Sequence, residues 1–196
     1  MTNLEATKEM CYLCFNEITK KFQKVPKLEV DLKKMSAPLF VTWEKKNRKN
    51  EYRLQGCIGT FQSSNLSSQL PKYAKTSAFD DSRFDPVQKR DLVNLQCTVS
   101  VLTNFEAASS PTDWEVGKHG IEINIPPYYS ATFLPEVAEE QNWDKETTLL
   151  HLIRKSGYRG KIDNEFMSTI KTKRYQSSVC NCTWDEYNEY IQTLEK

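Results

Sequence analysis

Two glycines three residues apart, Gly56 and Gly59, stand inside a run whose other members favour a strand, Tyr52-Arg53-Leu54-Gln55-Gly56-Cys57-Ile58-Gly59-Thr60-Phe61. Glycine weakens a strand unless another backbone or a ligand must come close, so the run predicts a strand with a neighbour pressed against its main chain. The thiol of Cys57, held between the glycines, then either faces a pocket or lies buried and inert at a β-bulge.

The strand needs partners. Pro38 to Trp43, rich in aromatic and β-branched residues, predicts an antiparallel neighbour joined through the polar turn Lys45 to Asn50. Cys97, Val99 and Val101 alternate with Thr98 and Ser100, the period of a half-buried strand. Ile121, Ile123 and Ile125 repeat that pattern until Pro126-Pro127 stops it.

Helical spacing appears elsewhere. Cys11, Cys14, Phe15, Ile18 and Phe22 recur at three and four residues and predict an amphipathic helix from Met10 to Phe22, followed by a polar connecting segment to residue 37. Leu66, Leu70, Tyr73, Ala74 and Ala78 predict a second helix, which Pro71 is expected to kink or restart. Asp80 to Pro86 reads as a charged loop, because a residue before proline avoids helical dihedrals. A helix capped by Asp144 is expected to run through Leu149, Leu152 and Ile153 to Gly157. The last opens on the capping-box pattern Thr183-Trp184-Asp185-Glu186 and is expected to bury Tyr187, Tyr190, Ile191 and Leu194. Without a regular βαβ rhythm, the elements predict an α+β fold with a mainly antiparallel sheet and flanking helices.

Composition narrows the function. A net charge of +1 offers no general field for phosphate backbones or anionic lipid, so nucleic acid and membrane are not expected as partners. The basic turn residues Lys45, Lys46, Arg48 and Lys49 read more simply as a solvated loop. No stretch reaches the length of a membrane span and no signal peptide is evident, so a cytosolic or nuclear address is expected. One domain over residues 1–196 is then long enough to bury a core without metal or disulfide, and its six cysteines are expected to be thiols. Cys11, Cys14, Cys180 and Cys182 could in principle form a tetrahedral zinc site, yet the first pair lies on a helix face and the second is separated by one residue. No metal and no cofactor are expected.

The segment Leu54-Gln55-Gly56-Cys57-Ile58-Gly59-Thr60-Phe61 closely resembles the signature of the AMMECR family. Further segments resemble the family in family order: Pro38-Leu39-Phe40-Val41-Thr42-Trp43, Ser77-Ala78-Phe79-Asp80-Asp81-Ser82-Arg83-Phe84, Leu102-Thr103-Asn104-Phe105-Glu106, and Asp113-Trp114-Glu115-Val116-Gly117-Lys118-His119-Gly120-Ile121. Thr132-Phe133-Leu134-Pro135-Glu136-Val137-Ala138 and Gly157-Tyr158 continue the likeness, which covers about residues 10–190. It implies an α+β fold of two unequal lobes packed as one domain, with Cys57 near a cleft. Gln55 departs from the arginine usual at that place in the family, so an anion site built on that arginine is not carried over.

Candidate site residues follow. A thiolate of Cys57, activated by His119 and oriented by an acid such as Asp81 or Glu115, would be a nucleophile of the usual thiol kind. His119 stands in the turn Gly117-Lys118-His119-Gly120. Gly56 and Gly59 would let a ligand approach the strand, and the planar fork of Arg83 would clamp a carboxylate or phosphate unless it holds its own loop through Asp80, Asp81 or Asp85. The expected function is therefore a small-molecule enzyme or ligand-binding domain with a cleft around Cys57. The alternative is a non-catalytic adaptor in the cytosol or nucleus that binds a protein partner.

Overall fold

The computed structural model describes residues 4–32 and 34–194. The chain divides into two compact units, the first made of residues 1–101 and 178–196 and the second of residues 102–177. The boundaries fall within strands, after Val101 and before Ser178. Every strand pairing given below is antiparallel, and helices flank the strands, as the α+β expectation requires.

In the first unit, β1 (Ser36–Lys46) pairs with β2 (Tyr52–Asn65) on one side and with β3 (Leu95–Ala107) on the other. Period two sorts their side chains: Leu39, Val41 and Trp43 of β1 and Cys97, Val99 and Val101 of β3 are all buried. Three helices pack onto this core. Helix α1 (Lys8–Thr19) contributes Cys11, Cys14, Phe15 and Ile18, and α2 (Leu66–Phe79) contributes Leu66, Leu70, Ala74 and Ala78. The C-terminal α6 (Trp184–Leu194) contributes Tyr187 and Ile191. Phe15 meets Trp43 edge-on at 4.9 Å and stacks on Tyr187 at 5.3 Å, while the Trp43 indole N–H donates to the Ala74 carbonyl at 3.0 Å.

Helix α2 does not restart at Pro71; it is assigned as one helix from Leu66 to Phe79. Proline removes a single backbone bond, and the continuous buried face of Leu66, Leu70, Ala74 and Ala78 on the strands outweighs that loss. Asn65 caps the helix by accepting from the Ser67 N–H at 2.9 Å. Thr183 and Glu186 form the expected capping box, with Thr183 N–H donating to Glu186 at 2.8 Å. Leu194, expected to be buried, is exposed, because α6 packs only its Tyr187–Ile191 stripe.

In the second unit, β4 (Gly120–Ile125) pairs with β5 (Tyr129–Phe133) and with β6 (Lys171–Thr183). Ile121, Ile123 and Ile125 are buried beside Trp114, Leu149, Leu152, Ile153 and Ile170. Helix α3 (Pro135–Glu140) follows β5. Helix α4 (Lys145–Lys155) begins where the Asp144 carboxylate accepts from the Thr147 N–H at 2.8 Å and ends before Gly157, whose φ of 96° few other residues tolerate. A short α5 (Asn164–Thr169) leads into β6.

Candidate functional site

The β1–β2 register decides where each residue of the glycine–cysteine run points. Gly56 lies opposite buried Trp43, Cys57 opposite Thr42, and Gly59 opposite Phe40. Between Trp43 and Glu44 the register shifts from Gly56 to Leu54, so Gln55 is the extra residue of a bulge. Gly56 therefore belongs to the core face, where a Cβ would overlap the carbonyl oxygen of Ser77 in α2. A Cβ on Gly59 would overlap the Leu39 carbonyl and the Phe40 ring. Close approach of the protein's own chain accounts for both glycines.

Cys57 falls on the opposite face and is half-buried. The Thr42 hydroxyl donates to its sulfur at 3.1 Å. Its main-chain groups are held by the charged loop that follows α2. The Cys57 N–H donates to Asp81 Oδ2 at 2.9 Å, and Arg83 Nη2 donates to the Cys57 carbonyl at 3.0 Å. Arg83 closes the ring on Asp81 through Nε to Oδ1 at 2.9 Å and Nη2 to Oδ2 at 2.7 Å. A carboxylate–guanidinium pair thus satisfies both main-chain groups of Cys57. The loop is anchored in turn by Val87 N–H to the Ala78 carbonyl at 2.9 Å and by Gln55 Nε2 to the Asp85 carbonyl at 2.6 Å.

Asp81 is buried whereas the Arg83 side chain is 57% exposed. The Arg83 hydrogen bonds hold the Asp81 carboxyl far below the ordinary carboxylate range, against the opposing effect of burial, with the Cys57 N–H adding to the depression. Of the three acids that could have paired with Arg83, the ion pair is with Asp81. Beside it lies an open cavity of about 440 Å³ lined by Lys45, Gln55, Ser82, Arg83, Phe84 and Asp85. Lys45 pairs with Asp91 at 3.4 Å, and the Arg83 guanidinium lies 5.3 Å from the centre of the Phe84 ring.

Gly56, Cys57, Asp81 and Arg83 are thus brought together within the first unit. His119 and Glu115 are brought together within the second. His119 is buried, its Nδ1 accepts from the Glu115 N–H at 3.0 Å, and its main-chain N–H donates to the Glu115 carbonyl at 3.0 Å. Acceptance at Nδ1 places the proton of the neutral ring on Nε2. Burial, assisted by Lys118 and Arg174, lowers the His119 pKa and favours that neutral form. The Glu115 carboxylate is occupied by Lys118 at 2.8 Å.

Of the remaining cysteines, all but Cys180 are core residues. Cys11, Cys14, Cys97 and Cys182 are buried and Cys180 is half-buried, and all six cysteines are thiols. Cys11 donates to the Cys180 carbonyl at 3.2 Å. Burial pushes the Cys97 thiol pKa up and that of Cys182 up to about 12. Among the described residues no group of three or more His, Cys, Asp or Glu side chains is placed to hold a metal ion. Sequence reasoning overlooked Thr42 and the place of Lys45 in the cavity. Hairpin register could have found Thr42, since it lies directly across from Cys57.

The AMMECR1 family model matches residues 11–180. An uncharacterized protein of Arabidopsis thaliana is 40% identical over 194 residues, covering 96% of this chain and 91% of its own length. An uncharacterized protein of Schizosaccharomyces pombe is 39% identical over 193 residues, covering 95% of this chain and 98% of its own. The crystal structure of the uncharacterized protein PH0010 from Pyrococcus horikoshii matches with a TM-score of 0.69 at 28% identity, over 88% of this chain and 89% of that one. With its glycine–cysteine strand, its Asp81–Arg83 loop and a family match over most of its length, this chain belongs to the AMMECR1 family.

Proposed function

We propose that the chain is a small-molecule-binding domain whose site is built on β2 at Cys57 and on the loop from Asp81 to Asp85. One observation carries the reading: Cys57 is half-buried on the face away from the core, and both its main-chain groups are clamped by Asp81 and Arg83. A structural cysteine needs no such support, whereas a group that must meet a ligand gains from being held in one place before the ligand arrives. The adjacent cavity gives a small polar molecule room beside that strand.

In the catalytic form of this reading the Cys57 thiolate is the nucleophile, as in other thiol enzymes. Asp81 then acts as a positioning residue for Cys57, since its oxygens are committed to the Cys57 N–H and to Arg83. The adaptor reading draws support from a run of aromatic contacts in the second unit, Tyr128–Tyr129, Tyr129–Tyr158 and Tyr158–Phe166, in which Tyr128 is 81% exposed. Tyrosine-rich surfaces are favoured at protein interfaces. Either role fits a cytosolic or nuclear protein, and no helix among the described residues is long and apolar enough to cross a membrane.

The test is the rate of Cys57 alkylation by iodoacetamide against pH, read by mass spectrometry on the folded protein. A ligand-facing nucleophile reacts well below the pH of an ordinary thiol, near 8.5. A Cys57 that reacts only above that pH removes the catalytic form and leaves binding alone. A Cys57 protected until denaturant is added takes the thiol out of the site.

A further inference from the structure

The cavity lined by Gln55, Arg83 and Asp85 has an uneven charge. Its lining holds two cations, Lys45 and Arg83, and one exposed carboxylate, Asp85, with the Ser82 hydroxyl and the Gln55 amide between them. Arg83 uses Nε and Nη2 on Asp81 and Cys57, which leaves Nη1 as the guanidinium nitrogen outside that ring of bonds. A guanidinium already fixed by a buried carboxylate is oriented before a ligand arrives, and its planar fork suits a carboxylate or phosphate oxygen. Lys45 adds a second, mobile donor, since its contact to Asp91 is long at 3.4 Å and its side chain is 39% exposed. An anion alone would leave Asp85 facing it with like charge. Asp85 itself lines the cavity, and its main-chain carbonyl is fixed by Gln55, which steadies that part of the rim.

We propose that this cavity binds a small zwitterion, with a phosphate or carboxylate toward Arg83 and Lys45 and an ammonium group toward Asp85. The inference rests on the reading that β2 and the Asp81–Asp85 loop form a ligand site, and it names the ligand's chemical class. It needs no chemistry at sulfur, so it can stand if Cys57 proves unreactive. Both groups of such a ligand find a partner, so it gains what an anion loses at Asp85.

The probes are O-phosphoethanolamine, inorganic phosphate and ethanolamine, titrated into the folded 196-residue chain while backbone amide shifts are followed by NMR. Saturable shifts confined to residues 82–85, Gln55 and Lys45 are expected for O-phosphoethanolamine, with affinity about tenfold above that of phosphate. Lys45→Gln, which leaves the Asp81–Arg83 pair in place, should weaken both anions about tenfold. Asp85→Asn should abolish the advantage of the zwitterion. Equal affinities for O-phosphoethanolamine and phosphate, unchanged in Asp85→Asn, overturn the zwitterion. No saturable shift at these residues up to about 10 mM overturns the inference altogether. Cys57 alkylation, measured on the same samples, reports separately on the thiol: reactive sulfur without probe binding sinks only this inference, and binding without reactive sulfur sinks only the catalytic form of the proposed function.

Discussion

The Asp81 carboxylate accepts the Cys57 main-chain N–H at 2.9 Å, so a buried acid in the loop after α2 fixes the position of the cysteine in β2. Removing it leaves a strand N–H and a guanidinium without their acceptor. Asp81→Ala is expected to lower stability by about 2 kcal/mol or more, measured by urea unfolding. A loss near zero would mean that water replaces the carboxylate at no cost.

The same pair sets a pH dependence. Asp81 has a folded pKa depressed below its unfolded value, chiefly by Arg83, so its contribution is fully present above the unfolded value near 3.9 and is lost as pH falls toward the folded one. Unfolding free energy should therefore decline below about pH 4, and the decline should be shallower in Asp81→Asn. Parallel acid limbs in the two proteins would show that other carboxylates carry the effect.

His119 titrates in the opposite part of the range. Its folded pKa is lowered, first by burial and then by Lys118, so the unfolded chain binds the proton more readily. Stability from this group is complete above the unfolded value near 6.5 and is lost as pH falls below it. NMR of the imidazole should show a midpoint below 6.5 with the neutral ring protonated at Nε2. A midpoint at or above that value, or an Nδ1-protonated ring, would contradict the Glu115 N–H bond to Nδ1.

Gly56→Val and Gly59→Val should each destabilise the fold, the first by driving a side chain into the Ser77 carbonyl of α2 and the second into the Leu39 carbonyl. Rigid backbone cannot yield as a side-chain tip can, so a loss of about 2 kcal/mol or more is expected for each. Unchanged melting temperatures would mean that α2 and β1 shift freely.

The six thiols should separate by burial under brief native alkylation. Cys57 and Cys180, both half-buried, are expected to be labelled, while Cys11, Cys14, Cys97 and Cys182 stay protected until the chain is unfolded. Native labelling of Cys182, whose pKa burial pushes up to about 12, would show that β6 and α6 open readily.

Much of the architecture was legible along the chain because burial was regular there. Cys97, Val99 and Val101 alternate, Ile121, Ile123 and Ile125 alternate, and the caps at Asp144 and Thr183 use side chains that bond amides three residues away. Local rules reach that far because every interaction involved is local. Strand β6 escaped them: Lys171–Thr183 is mostly polar and buries only Thr172, Tyr175 and Cys182, too sparse a pattern to announce a strand. The short helices α3 and α5 span little more than one turn each and leave no periodic trace. At the site, the sequence alone marked Gly56, Cys57, Gly59, Asp81 and Arg83 as unusual. Only the tertiary structure decided that Gly56 makes room for the Ser77 carbonyl, that Arg83 takes Asp81 and not Asp80 or Asp85, and that this pair clamps Cys57 across 24 positions of chain. Contacts of that kind depend on the register of β1 against β2 and on the packing of α2, and no local pattern encodes either.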